Sequence, residues 1–190
     1  MSDDDKKIQE VKDLFDLAEK EIKAAERVGS GLGIPAINEL RYAGHHVLEY
    51  MTSKDIDGLE RAKNHILRAR YDAAEAPIIL ILKKLEDFQK EFSSAIITED
   101  ISEYVVQTMQ LERIKNEIGE ISPENRERYV EEIRPHVAQL TEIHAHWMAA
   151  APEINKRRRQ ERRKLWMNLL GVLLTLIGVI VGLATWLVPR

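Results

Sequence analysis

Apolar residues recur along most of this chain at alternating steps of three and four, the period of a helix that buries one face. Between Asp3 and Val28 the stripe is Ile8, Val11, Phe15, Ala18, Ile22 and Ala25. Such a seam predicts a helix lying along another. Asp3, Asp4 and Asp5 suit the positive end of its dipole. The run GSGLGIP, Gly29 to Pro35, ends the pattern. It lacks the GxGxxG spacing and a following Lys-Ser/Thr, so it reads as a connector and not as a phosphate loop.

A second helix is expected from about Ala36 to Met51, with Leu40, Gly44, Val47, Leu48 and Met51 as its apolar face. Asn38, Arg41, Tyr42, His45 and Glu49 fall on the opposite face. Asp57, followed by Glu60 three residues on, reads as the cap of a third helix. Leu59, Ala62, Ile66, Ala69 and Ala73 form its stripe to about Phe92, with a kink expected at Pro77. Ser93 to Thr98 reads as a connector and Glu99 to Ile118 as helix four. Ser122-Pro123-Glu124 is a helix start, with a capping hydroxyl, a proline at the first position and then an acid. Helix five runs to about Ala150, with a kink expected at Pro135 and a kink or restart at Pro152. No run alternates β-branched and polar residues, so the expected fold is all-α, a bundle of helical hairpins.

The period changes its meaning at Leu165. From there to Val188 the chain reads LWMNLLGVLLTLIGVIVGLATWLV, without a charge. Roughly 24 helical residues span ~36 Å, enough for a ~30 Å hydrocarbon layer. Trp166 and Trp186 sit near the ends, where amphipathic rings favour the interface. Within the span Asn168, Gly171, Thr175, Gly178, Gly182 and Thr185 fall at steps of 3, 4, 3, 4 and 3. Small residues on one stripe let helices approach closely in lipid, where packing and hydrogen bonds drive association. Self-association along this stripe is therefore expected, with the stripe as a packing seam or the lining of a narrow pore.

Charge adds an orientation. Lys156 to Lys164, KRRRQERRK, holds seven basic residues and one acid. Basic residues beside a spanning helix stay cytoplasmic and contact lipid headgroups. The expected arrangement is a single-pass membrane protein with its N-terminus in the cytoplasm. The divisions are a helical domain (1–152), a basic juxtamembrane helix (153–164) and a membrane helix (165–188). The polar N-terminus has no apolar h-region, so a tail anchor and not a signal peptide is expected. Residues 156–190 carry eight basic residues and one acid, which leaves 20 basic against 31 acidic residues in 1–155. An acidic body argues against broad nucleic-acid binding. The absence of cysteine excludes disulfides, thiolate nucleophiles and zinc–thiolate sites.

The densest polar cluster joins Arg41, Tyr42, His45 and His46 to Lys63, Asn64, His65, Arg68, Arg70 and Tyr71. If helices two and three form a hairpin, these cations and rings are expected to share one cleft, as a nucleotide or short oligonucleotide would require. The bland alternative is a solvated face with pairs such as Arg68 with Asp72. Glu142 and His146 stand four apart with His144 between them, but no HExxH motif or third ligand accompanies them, so neither a metal nor a cofactor is expected.

Arg41 to His46 reads Arg-x4-His, which resembles the signature of HEPN-type ribonucleases, small all-α proteins of toxin and antiviral systems. The resemblance implies that Arg41 and His46 promote attack of a 2′-hydroxyl on the adjacent phosphate. The chain departs from it at Tyr42, where that family usually has a polar residue. Over its whole length the arrangement of helical domain, charged collar and terminal span resembles the compact transmembrane effectors of bacterial antiphage defence. Hailong-type effectors and the HEPN-like membrane proteins beside some CRISPR systems are the nearest in architecture. That resemblance implies a cytosolic domain that senses a nucleotide-type signal from a companion enzyme and gates or assembles a channel that depolarises the cell. The expected partners are then membrane lipids, further copies of the chain, and that signal. Rival readings are a membrane-tethered HEPN-like RNase and a non-enzymatic tail-anchored adaptor.

Overall fold

The computed structural model describes residues 3–29, 33–93, 95–122 and 125–187, of which 181–187 are described by their backbone alone. All regular structure among them is helical: α1 (Asp3–Val28), α2 (Ile34–Ser53), α3 (Asp57–Glu91), a 3-10 turn (Ile97–Glu99), α4 (Tyr104–Glu120) and α5 (Arg126–Leu187). The all-α expectation holds, and α5 includes a segment long and apolar enough to cross a membrane.

Several boundaries differ from the sequence reading, each for a local reason. α2 begins at Ile34 and takes in Pro35, because a proline in the first turn has a suitable fixed φ and lacks only an N–H the helix does not use. Asp57 does not cap α3. Ile56 precedes the helix, and the Asp55 carboxylate accepts the Asp57 N–H at 3.1 Å. α4 starts at Tyr104 and not at Glu99, since burial of Ile97 and Ile101 draws the intervening chain into a 3-10 turn. The proposed start at Pro123 and Glu124 lies outside the described residues. α3 runs on through Pro77, and α5 through Pro135 and Pro152.

α3 is the axis of the molecule and serves two cores. In the first, its N-terminal half packs under α1 and α2. Ala18, Ala36, Ala43, Ala62 and Ala69 are all buried there, and their small side chains let three helices approach closely. In the second, Ile81, Leu85, Phe88 and Phe92 of its C-terminal half pack against Leu111 and Ile114 of α4 and Ile133, Leu140 and Trp147 of α5. The Trp147 ring lies 5.3 Å from that of Phe88, and its indole N–H donates to Gln107 of α4 at 2.9 Å.

Cross-pairs fix the directions. Lys63 meets Glu10 at 2.5 Å and Arg70 meets Glu21 at 3.0 Å, so α1 runs parallel to α3. His65 with Glu39 at 2.7 Å and Arg61 with Glu49 at 3.9 Å make α2 antiparallel to it. Tyr71 lies against Tyr129 and Phe88 against Trp147, so α5 follows α3 in the same direction. The α1–α2 unit therefore lies toward the end of the protein farthest from the apolar segment.

Candidate functional site

Helices α2 and α3 do form the expected hairpin, and Gly58 is what lets them close. A Cβ there would stand 3.0 Å from the His46 carbonyl oxygen and 3.3 Å from Tyr50 Cβ. The closure brings four aromatic residues together in the seam. The His46 and His65 rings stack at 5.2 Å, Tyr42 lies 5.5 Å from His65, and His45 lies 5.6 Å from His46. Each seam histidine is held by a carboxylate, His65 Nδ1 by Glu39 at 2.7 Å and His46 Nδ1 by Glu49 at 2.7 Å. The hydrogen bond to His46 holds the Glu49 carboxyl below its usual range, with His45 and Arg61 acting in the same direction against its burial.

The remaining predicted cations go elsewhere. Lys63 and Arg70 turn to α1, where Glu10 and Glu21 take them. The bond to Glu10 raises the Lys63 ammonium above its usual range. Arg41 donates to Asn38 at 3.0 Å and lines a groove on the α1 side of α2, whereas His46 faces α3. On one uninterrupted helix the two point about 140° apart, so Arg41 and His46 do not converge. Arg68 stands at a small surface pocket with Arg126, Tyr71, Asp72 and Glu39. Burial, and then the Glu75 carboxylate that accepts its hydroxyl at 2.8 Å, hold the Tyr71 phenol far above its usual range. Thus Tyr42, His45, His46 and His65 are brought together, and Arg41, Lys63, Arg68 and Arg70 are distributed over three other surfaces.

On α5, His146 bonds to Gln107 at 2.7 Å, and His144 is partly buried, which with Lys84 nearby lowers its affinity for a proton. No group of three or more metal-capable side chains occurs among the described residues.

Beyond Ile154 the helix leaves the core, and every described side chain from residue 159 onward is exposed. Two of the collar cations turn back to the domain. Arg157 pairs with Glu99 at 2.5 Å and with Asp100, and Arg158 donates to the Glu91 carbonyl at 3.1 Å. On the stripe, a Cβ at Gly171 or Gly178 would meet nothing within 4 Å, and Thr175 donates to the Gly171 carbonyl at 2.9 Å. Side chains at Gly182 and Thr185 lie outside the described ones.

One feature escaped the sequence reading. α1 and α2 both lie on α3, but between them runs an open groove of about 1060 Å³ lined by Ile8, Phe15, Val47, Leu48 and Met51. Leu48 and Met51, expected on the buried face of α2, are 62% and 60% exposed. Leu40 and Val47 of the expected face do pack against α3, joined there by Ala36, Ala43 and Tyr50. The signal was present in apolar stripes too wide for one neighbouring helix to cover.

No family model, no curated protein and no solved structure matches this chain.

Proposed function

We propose that this chain is a self-associating, single-pass effector of the bacterial inner membrane, of the antiphage-defence type, whose cytoplasmic helical domain gates or assembles a depolarising channel. The observation that carries this reading is α5. A single helix begins in the core beside α3, buries Tyr129, Ile133, Leu140, Trp147 and Ile154, and continues through the collar into the apolar segment. A rotation or tilt of α5 in the core is therefore conveyed along the same backbone to the small-residue stripe. A signal acts on such a protein only through different affinity for its two assemblies. A nucleotide-type signal would use the Arg68, Arg126 and Tyr71 pocket, because Lys63, Arg70, His46 and His65 already hold carboxylates.

The test is membrane potential in bacteria expressing the full chain, a chain ending at Asn155, and a Gly178→Leu/Gly182→Leu chain. Depolarisation by the full chain alone is expected. Equal depolarisation by the stripe variant overturns the assembly. Toxicity without depolarisation that depends on Arg41 and His46 replaces the channel with the ribonuclease reading.

A further inference from the structure

α3 and α5 run side by side in the same direction, and each carries a proline at the same level. Pro77 and Pro135 both stand six residues beyond the facing rings of Tyr71 and Tyr129. At this level, between the two helices and the C-terminal turns of α1, lies a cleft of about 240 Å³. It sits where the two cores meet, since Ala73 belongs to one and Ile133 to the other, and both line it. Small side chains make it. Ala24 and Ala25 of α1, Ala73 and Ala74 of α3 and Ala138 of α5 leave a gap that larger residues would fill.

The groups around the cleft define what fits it. Ten of its twelve lining residues are apolar, and the other two, Glu21 and Arg134, bond to one another at 2.9 Å. Arg134 also holds Glu131, and Glu21 also holds Arg70. These two cations and two carboxylates balance, so a charged guest would lose its water and gain no counter-charge. One backbone acceptor remains. Pro77 has no N–H to give to the Ala73 carbonyl four residues before it, and both residues line the cleft. Pro135 leaves the Glu131 carbonyl in the same position, so each helix lacks one rung of its ladder at this level. In other proteins a dry apolar cavity of about 150 Å³ binds benzene, so this one has room for roughly nine or ten non-hydrogen atoms. A rigid guest loses the least entropy on entering.

We propose that the cleft between α1, α3 and α5 is a binding site for a small, rigid, uncharged aromatic molecule with one hydrogen-bond donor, of the indole or naphthol class. Its ring lies among the alanines and its donor meets the Ala73 carbonyl. The guest bridges the two cores where α3 and α5 each lack a rung. This site shares no lining residue with the Arg68 pocket and does not depend on a channel.

The chain has no cysteine, so one introduced thiol reports on one place. The full chain in lipid nanodiscs carries Ala138→Cys at the exposed rim of the cleft or, as the control, Asn116→Cys on the exposed side of α4. Indole is expected to slow alkylation of Ala138→Cys by iodoacetamide about tenfold, saturably, and to leave Asn116→Cys unchanged. Benzofuran has the same ring size with oxygen in place of the N–H. It should need about five times the concentration for the same protection, as loss of one hydrogen bond requires. Ala74→Leu from α3 and Ala24→Leu from α1 each fill the cleft and leave the ion network in place. In whichever of them keeps its helical circular dichroism and melting transition, protection should disappear. Unchanged alkylation of Ala138→Cys overturns the site, and so does equal slowing at Asn116→Cys, which is nonspecific partitioning. Protection that survives in the folded filling variants places the guest elsewhere and overturns it too. Equal protection by benzofuran and indole removes the Ala73 contact and with it the proposed class of ligand.

Discussion

Arg70 of α3 grips Glu21 of α1 with two prongs, Nε to Oε2 at 3.0 Å and Nη2 to Oε1 at 3.1 Å. The same carboxylate accepts from Arg134 of α5 at 2.9 Å, and Glu131 of α5 stands 3.7 Å from Arg70. Three helices thus share one ion network at the boundary between the two cores. The Arg70 side chain is only 7% exposed, so its charge depends on that carboxylate. Burial alone would push the guanidinium toward its neutral form, and Glu21 overcomes that effect.

Glu21→Gln is therefore expected to cost up to about 3 kcal/mol, because it leaves the buried guanidinium with only the more distant Glu131 as counter-charge. Replacing both partners, Glu21→Leu with Arg70→Met, should recover most of that loss. Thermal unfolding followed by circular dichroism checks both. Hydrogen exchange should show α1 and α2 losing protection in the single variant while α4 and the core half of α5 keep theirs.

Gly58→Ala should destabilise by ~1–3 kcal/mol, since the new methyl meets the His46 carbonyl oxygen at 3.0 Å and overpacks the α2–α3 crossing. Gly44→Ala is the control. Its Cβ would meet nothing within 4 Å, so removing a mid-helix glycine there should gain up to ~1 kcal/mol. Chemical denaturation of the two variants should move the midpoint in opposite directions with an unchanged slope.

The helix content and the apolar terminal segment were legible because period and length are properties of the chain itself. The rotation of α2 was not. Its sequence offers Leu48 and Met51 and also Ala43 and Tyr50 as apolar faces, and α3 takes the second pair because alanine and Gly58 let the backbones approach. The cation cluster misled for a related reason. Lys63, His65 and Arg70 are near neighbours in sequence, but a helix turns them toward different partners, and Glu10, Glu21 and Glu39 collect them. The 3-10 turn before α4 was hidden because Ile97 and Ile101 fit a helical spacing until their burial against α3 and α5 is known.

Asp72 gives a dependence on pH. Burial, then the nearby carboxylates Glu39 and Glu75, raise its carboxyl above the ordinary value of 3.8, against the pull of Arg126 and Arg68. The folded state thus holds this proton more tightly than the unfolded state. Stability from this group is complete below 3.8 and is lost as pH rises through the folded value, leaving the ionised carboxylate a cost at neutral pH. Asp72→Asn should raise the melting temperature at pH 7. The advantage should shrink as the pH is lowered toward 4, and an advantage independent of pH would contradict the assignment.

The collar divides into two functions that separate variants can resolve. Arg157 is 23% exposed and clamps the chain before α4, pairing with Glu99 and Asp100 and donating to the Ile96 carbonyl at 2.6 Å. Asp100 is 15% exposed, so loss of the guanidinium strands a largely buried carboxylate. Arg157→Ala should cost ~1–3 kcal/mol and speed hydrogen exchange in residues 95–101. Among the described residues Arg162 and Arg163 have no such contacts, and they stand exposed just before the apolar segment. Arg162→Ala with Arg163→Ala should leave folding stability unchanged and weaken retention of anionic lipid by about 1 kcal/mol per residue. Native mass spectrometry of chains released from phosphatidylglycerol-containing vesicles measures that retention. Equal lipid loss in Arg157→Ala would show that its bridge to Glu99 and Asp100 is open in the membrane, and the clamp would then have no part in holding α5 to the domain.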